Sequence, residues 1–226
     1  MTMQKIMFEH RRFGLEQAVI ARLKENTRRR VRFPKGVNDE DVESAVMGID
    51  GKGRVYFTFF TGTENIDVYP KFQIGEQVAV AQAYKNDDVL IFNAYNEDGT
   101  KRKDAFSRHR EMLGSEGYRN KMFVKADMMP HVVEITDIKA ERLQDISDED
   151  CLREGVYKHN AAPDALGMDR YKFIAYAYNA TPGKNIKRWW FQTPREAFAA
   201  LIDRISGRGT WEKNEWQFAY TFKLIR

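Results

Sequence analysis

The chain has 226 residues, 42% hydrophobic and 13% aromatic, with 37 Lys and Arg against 33 Asp and Glu. That composition excludes a disordered chain, and no apolar run approaches the roughly 18 residues a membrane helix needs. The charge is uneven: Met1 to Lys35 holds ten Lys and Arg against three Glu, the mark of a local anionic partner or of a solvated basic turn.

The opening MTMQKIMFEHRRF lacks an apolar stretch and a small-residue cleavage site, so no secretion signal is expected. Cys151 is the single cysteine. It cannot form an internal disulfide, and the expected setting is cytoplasmic. Leu15, Val19 and Leu23 recur every four residues and predict a helix over 15–26 with those three as anchors. VRFPKG ends that segment. NDEDVESAVMGI reads as a short acidic helix capped by Asn38, DGKGRVYFTFFTG as a turn and a strand, and IDVYP and EQVAVAQAY as further strands.

Residues 86–118 are polar and weakly periodic, an insertion with a helix near DAFSRHREML. KMFVKA and HVVEITDIKAERL read as strands. SDEDCLREG reads as a short helix with Ser147 as N-cap, Asp150 at the reciprocal position and Gly155 as the stop. RYKFIAYAYNA alternates like a strand. TPREAFAALIDRISG has a full set of helix signals: Thr193 to cap, Pro194 at the first position, Glu196 to close the capping box, and Gly207 to end it. EWQFAYTFKLI closes the chain as a strand. Short strands without regular strand–helix alternation predict an α+β fold rather than a doubly wound sheet.

No Walker loop, GxGxxG, HExxH, CxxC or GxSxG occurs, and the four histidines lack metal-ligand spacing. No metal and no cofactor is expected. Lys24 and Thr27 would share a helical face, where a partly desolvated lysine could take the proton of a threonine hydroxyl. K-x-x-T is a common spacing, and an ordinary exposed lysine satisfies it equally well. Glu154 falls in the last turn of its helix, where the dipole disfavours a carboxylate. It is either tolerated on the surface or kept for use, for instance as a proton shuttle with a raised pKa. Trp189, Trp190, Trp211 and Trp216 could stack a base or simply pack.

The segments LKENTRRR, FQIGEQVAVAQAY, VVEITDIKAERLQDISDEDCLREGV and GTWEKNEWQFAYTFKL occur in that order. Together they resemble the ASCH family of the PUA-like superfamily, and look closest to phage and prophage versions from gut bacteria. Lys24, Thr27 and Arg29 match the first family motif, Gly75 and Glu76 the second, and Leu143, Ile146, Ser147 and Glu154 the third. Arg22 stands where the family has glycine. The resemblance implies a single PUA-like domain over 1–226 built on a small, mostly antiparallel β-barrel, with insertions at about 36–65, 85–118 and 158–192.

It also implies a function, binding of RNA or a modified nucleoside in a basic cleft. Arg22, Arg28, Arg29, Arg30 and Arg32 would meet phosphates there, and Trp211 or Trp216 a base. The alternative it implies is a metal-independent amidohydrolase that deacylates an N4-acylated cytidine. Thr27 would then be the nucleophile, Lys24 its activator, and Glu154 would handle the proton of the leaving amine. A non-catalytic accessory protein that binds a host protein is the third expectation.

Overall fold

The computed structural model describes residues 3–10, 13–158, 171–173 and 191–226. In chain order the strands are β1 (Gln4–Ile6), β2 (Asn26–Arg30), β3 (Val42–Ile49), β4 (Val55–Thr61), β5 (Asn65–Val68), β6 (Gln77–Val80), β7 (Val132–Arg142), β8 (Val156–Lys158), β9 (Tyr171–Phe173) and β10 (Trp216–Leu224). The helices are α1 (Leu15–Ile20), α2 (Asp87–Ala94), α3 (Ala105–Leu113), α4 (Asp148–Arg153), α5 (Pro194–Ser206) and α6 (Thr210–Lys213). The fold is mixed α+β. Among the described residues the strands form open sheets and no closed barrel, and no helix is long and apolar enough to cross a membrane.

The chain divides into two compact units. The first comprises Met1–Phe8, Gln77–Glu134 and Lys223–Arg226. In it β1 runs parallel to β6 and β6 antiparallel to the start of β7. Its core is Ala79, Tyr84, Val89, Met112 and Met129, all buried. The polar insertion contains α2 as well as the helix expected near DAFSRHREML; the short apolar run of α2 carries no helical period to signal it. KMFVKA is not a strand. It forms two 3-10 turns, Lys121–Phe123 and Ala126–Met128, and sends Val124 and Ala126 into the core instead of into a ladder.

The second unit comprises Glu9–Glu76 and Ile135–Phe222. Strands β3, β4 and β5 form an antiparallel meander, and β2 pairs antiparallel with β10, Thr27 opposite Tyr220. Aromatic rings fill its centre: Phe57 lies 5.5 Å from Phe218, and Phe59 meets Trp216 edge-on at 5.4 Å. The acidic helix expected over 38–49 is only a 3-10 turn, Asp39–Asp41, followed by β3. Pairing with β4 decides the conformation there against local propensity. Helix α5 carries every expected signal. The Thr193 hydroxyl accepts from the Glu196 amide, the Glu196 carboxylate accepts from the Thr193 amide, and Gly207 takes φ +111°. Trp189, Trp190 and most of the strand read in RYKFIAYAYNA lie outside the described residues.

The helix expected over 15–26 is six residues long. It ends in a Schellman motif: the Leu23 amide donates to the Ala18 carbonyl at 2.8 Å and the Arg22 amide to Val19 at 3.0 Å. Arg22 occupies the left-handed position of that motif with φ +58°, where glycine is the favoured residue. Leu23 is turned out, 45% exposed, so Leu15 and Val19 anchor α1 without it. Arg22→Gly is expected to raise stability by about 0.5–1 kcal/mol, the left-handed strain relieved being partly offset by the greater chain entropy of glycine. Equilibrium denaturant unfolding measures this, and a loss of stability would show that Arg22 is held by something other than its backbone role.

Candidate functional site

Beyond the Schellman turn the chain is pinned on two sides. The Glu25 amide donates to the Arg153 carbonyl at the end of α4, and the Phe222 amide donates to the Glu25 carbonyl. Strand β2 then starts at Asn26. Lys24 and Thr27 therefore do not share a helical face; Lys24 lies in the turn before the strand and Thr27 inside it. The three arginines Arg28 to Arg30 fall in a strand because β10 offers a ladder from Asn26 to Arg30.

From the other direction Ser147 caps α4, its hydroxyl accepting from the Asp150 amide at 3.1 Å. The Asp150 carboxylate does not return that bond. It accepts from the Asn26 amide group at 3.0 Å and lies 3.5 Å from Arg28. Glu154 is the C-cap, and Gly155 follows with φ +111°. A side chain at Gly155 would be strained by that backbone and would crowd Leu15 at 3.1 Å, with Lys24 at 4.0 Å. The glycine thus lets the end of α4 approach the turn that carries Lys24.

Here Lys24 and Glu154 meet. The Lys24 ammonium donates to the Glu154 carboxylate Oε2 at 2.5 Å and to its main-chain carbonyl at 2.7 Å. Lys24 is thus the cation that a helix C-terminus favours, and it offsets the misplaced carboxylate of Glu154. Arg28 donates from Nη1 to Glu154 Oε1 at 3.0 Å, and from Nε and Nη2 to Glu141 Oε1 of β7 at 3.0 and 2.5 Å. The ring of Phe198 from α5 lies 5.8 Å from its guanidinium carbon. Side-chain exposure is 2% for Lys24, 1% for Arg28 and 6% for Glu154.

The charges shift accordingly. Burial holds the Lys24 ammonium below its usual pKa; Glu154 opposes that fall, and Arg29 and Arg28 add to it. Burial pushes the Glu154 carboxyl up, but the charges and hydrogen bonds of Lys24 and Arg28 outweigh it, and the group stays below the usual carboxylate range. This corrects the expectation of a raised pKa at Glu154. With both carboxylate oxygens occupied by cations it is a poor proton carrier, and Lys24 is the group whose proton is loosened.

Strand alternation directs Asn26, Arg28 and Arg30 to one face of β2 and Thr27 and Arg29 to the other. Thr27 is 3% exposed, and its hydroxyl has no hydrogen-bond partner among the described residues. Arg29 is exposed over much of its surface, yet burial lowers the pKa of its guanidinium, with Glu154 and Tyr220 opposing. Its charge also lowers the pKa of Lys24.

The remaining expected site residues fall elsewhere. Arg28, expected on a phosphate-facing rim, is buried in the cluster, because the strand turns it toward three carboxylates. Arg22, Arg30 and Arg32 are exposed; Arg30 pairs with Glu215 at 2.7 Å, and Arg32 has no ion pair among the described residues. Trp216 is core. Its indole N–H donates to the Val42 carbonyl at 3.3 Å, and its ring lies between Phe59 and the Arg142 guanidinium. It has no face left for a base, a second correction. Trp211 is half-buried, with Phe198 edge-on at 6.1 Å and Arg195 over its ring at 5.5 Å. Glu141, Asp150, Asn26 and the cluster role of Arg28 were missed by sequence reasoning. Their signal was the alternation of NTRRR, which emerges only once that stretch is read as a strand.

No protein-family model, no curated protein and no solved structure matches this chain.

Proposed function

We propose that this chain is an amidohydrolase of the ASCH type, built on the PUA-like plan, that removes an acyl group from the exocyclic amine of a modified cytosine nucleoside. The observation that carries this reading is the buried Lys24–Glu154 pair. A lysine with a depressed pKa, fixed at 2.5 Å on an ionised carboxylate and three residues along the chain from Thr27, a threonine 3% exposed, is the equipment of an activated nucleophile. The order of the family-like segments supports the same reading.

In the proposed reaction Thr27, which makes no hydrogen bond to Lys24 in the resting chain, first comes within reach of it; neutral Lys24 then takes the proton of the Thr27 hydroxyl as its oxygen adds to the amide carbonyl carbon. The tetrahedral intermediate collapses with cleavage of the C–N bond, and the Lys24 ammonium returns the proton to the departing amine. Water, deprotonated by Lys24, then adds to the carbonyl carbon of the threonyl ester; the C–O bond to Thr27 breaks, the Lys24 ammonium returns its proton to the departing Thr27 oxygen, and the carboxylic acid is released. Glu154 keeps Lys24 in place and, held ionised by Arg28, stabilises its ammonium form. Arg29 lies beside Thr27 on β2 and can meet the developing oxyanion. Incubation with N4-acetylcytidine, followed by chromatography for cytidine and acetate, tests the reading. Absence of turnover over a panel of N4-acylated cytidines would overturn it.

A second reading, RNA binding, rests on the exposed cations of β2 and its extension, Arg29, Arg30 and Arg32. Replacing Arg30 and Arg32 by Gln is expected to weaken single-stranded RNA binding equally across sequences. The salt slope should flatten by about 0.7 for each phosphate that is no longer neutralised. Salt titrations by fluorescence anisotropy check this, and an unchanged slope would remove these residues from any role in holding RNA.

A further inference from the structure

We propose that the first unit carries a docking groove for an apolar segment of a partner protein bearing lysine or arginine. The groove has a volume of about 940 Å³ and is lined only by residues of that unit. One wall is α2, whose run VLIF is apolar all round, a pattern expected of a helix covered on every side. Its inner face is closed: Val89 is buried, and Asn93 donates to the Val89 and Met128 carbonyls while accepting from Arg108. Its outer face is left uncovered, with Ile91 59% and Tyr95 48% exposed.

The charge left open in the groove is negative. Its two arginines are already committed. Arg226 donates to the Pro130 and Met129 carbonyls, Arg102 to Asp104, and both guanidiniums lie over the Phe92 ring, at 5.1 and 5.7 Å. Four carboxylates, Asp88, Glu97, Asp98 and Asp127, line the groove against these two cations; Asp98 accepts from the Thr100 amide and hydroxyl, and the other three are less engaged. Among the described residues the Glu97 and Asp127 side chains have no hydrogen bond or salt bridge, and Asp88 meets only His131, at 3.7 Å. The His131 Nε2 is itself buried without a hydrogen-bond partner among the described residues. Exposed aliphatic and aromatic surface ringed by unpaired carboxylates complements side chains that join an apolar body to a cationic end.

The test uses the full chain and three labelled dodecapeptides, one of Lys, Leu and Tyr, one with Glu for each Lys, and one with Ser for each Lys. Fluorescence anisotropy should give a Kd on the order of 10 µM for the first, in the weak class of small interfaces. The other two peptides should bind at least tenfold more weakly. Ile91→Ser with Tyr95→Ser, and Asp88→Asn with Glu97→Gln and Asp127→Asn, should each weaken the lysine peptide at least tenfold. All five side chains are exposed, so both variants should keep the wild-type circular dichroism. Equal binding to wild type and both variants, equal binding of the glutamate peptide, or full displacement by spermidine, a cation without an apolar side chain, would each overturn the proposal.

Discussion

Glu154→Gln is expected to lower the unfolding free energy by about 3–5 kcal/mol, the scale for removing one partner of a buried ion pair. Glutamine leaves the volume almost unchanged, so the loss is electrostatic: Lys24 and Arg28 remain buried with one carboxylate fewer between them. Glu141 and Asp150 still hold Arg28, so Lys24 suffers more.

The effect has a pH signature. The carboxyl of Glu154 lies below its ordinary 4.5 in the folded chain, so its contribution is fully present above that value and is lost as pH falls through the folded pKa. The difference between wild type and variant should therefore shrink on acidification. Lys24 acts at the other end. Its folded pKa lies below 10.5, so the unfolded chain binds more protons between the two values, and stability rises with pH across that window. Urea unfolding at a series of pH values measures both. A variant that loses less than about 1 kcal/mol at neutral pH would show that the pair is not sealed from water.

Thr27→Ala should separate chemistry from folding. Its hydroxyl has no partner among the described residues to leave unsatisfied, so stability should change by no more than about 1 kcal/mol. Turnover of N4-acetylcytidine should fall on the order of 10³-fold or more, as expected when a covalent nucleophile is deleted. Thr27→Ser should retain part of the rate. In the wild type, kcat/KM should rise with pH with a midpoint below 10.5, since the pKa of Lys24 is lowered and the proposed base is its neutral amine. Single-turnover assays of both variants, with melting curves alongside, test this. A Thr27→Ala enzyme at wild-type rate would assign the attack to water.

The elements legible in the sequence are those that rest on local chemistry. The capping box of α5, the Ser147 cap and Gly155 stop of α4, and the long alternating strands β7 and β10 depend on neighbours a few residues away. So does the oddity of Glu154, because a carboxylate at a helix C-terminus is wrong for the local dipole. The rest depends on partners far along the chain. NTRRR became a strand because β10, some 190 residues later, offers it a ladder, and only then do Arg28 and Arg29 part to opposite faces. Lys24 was legible as a candidate residue, but its burial depends on α4 ending against it, and the lowered pKa of Glu154 on two cations from a distant segment. Pairing across the chain and loss of solvent set those charges, and neither leaves a pattern in a local window of sequence.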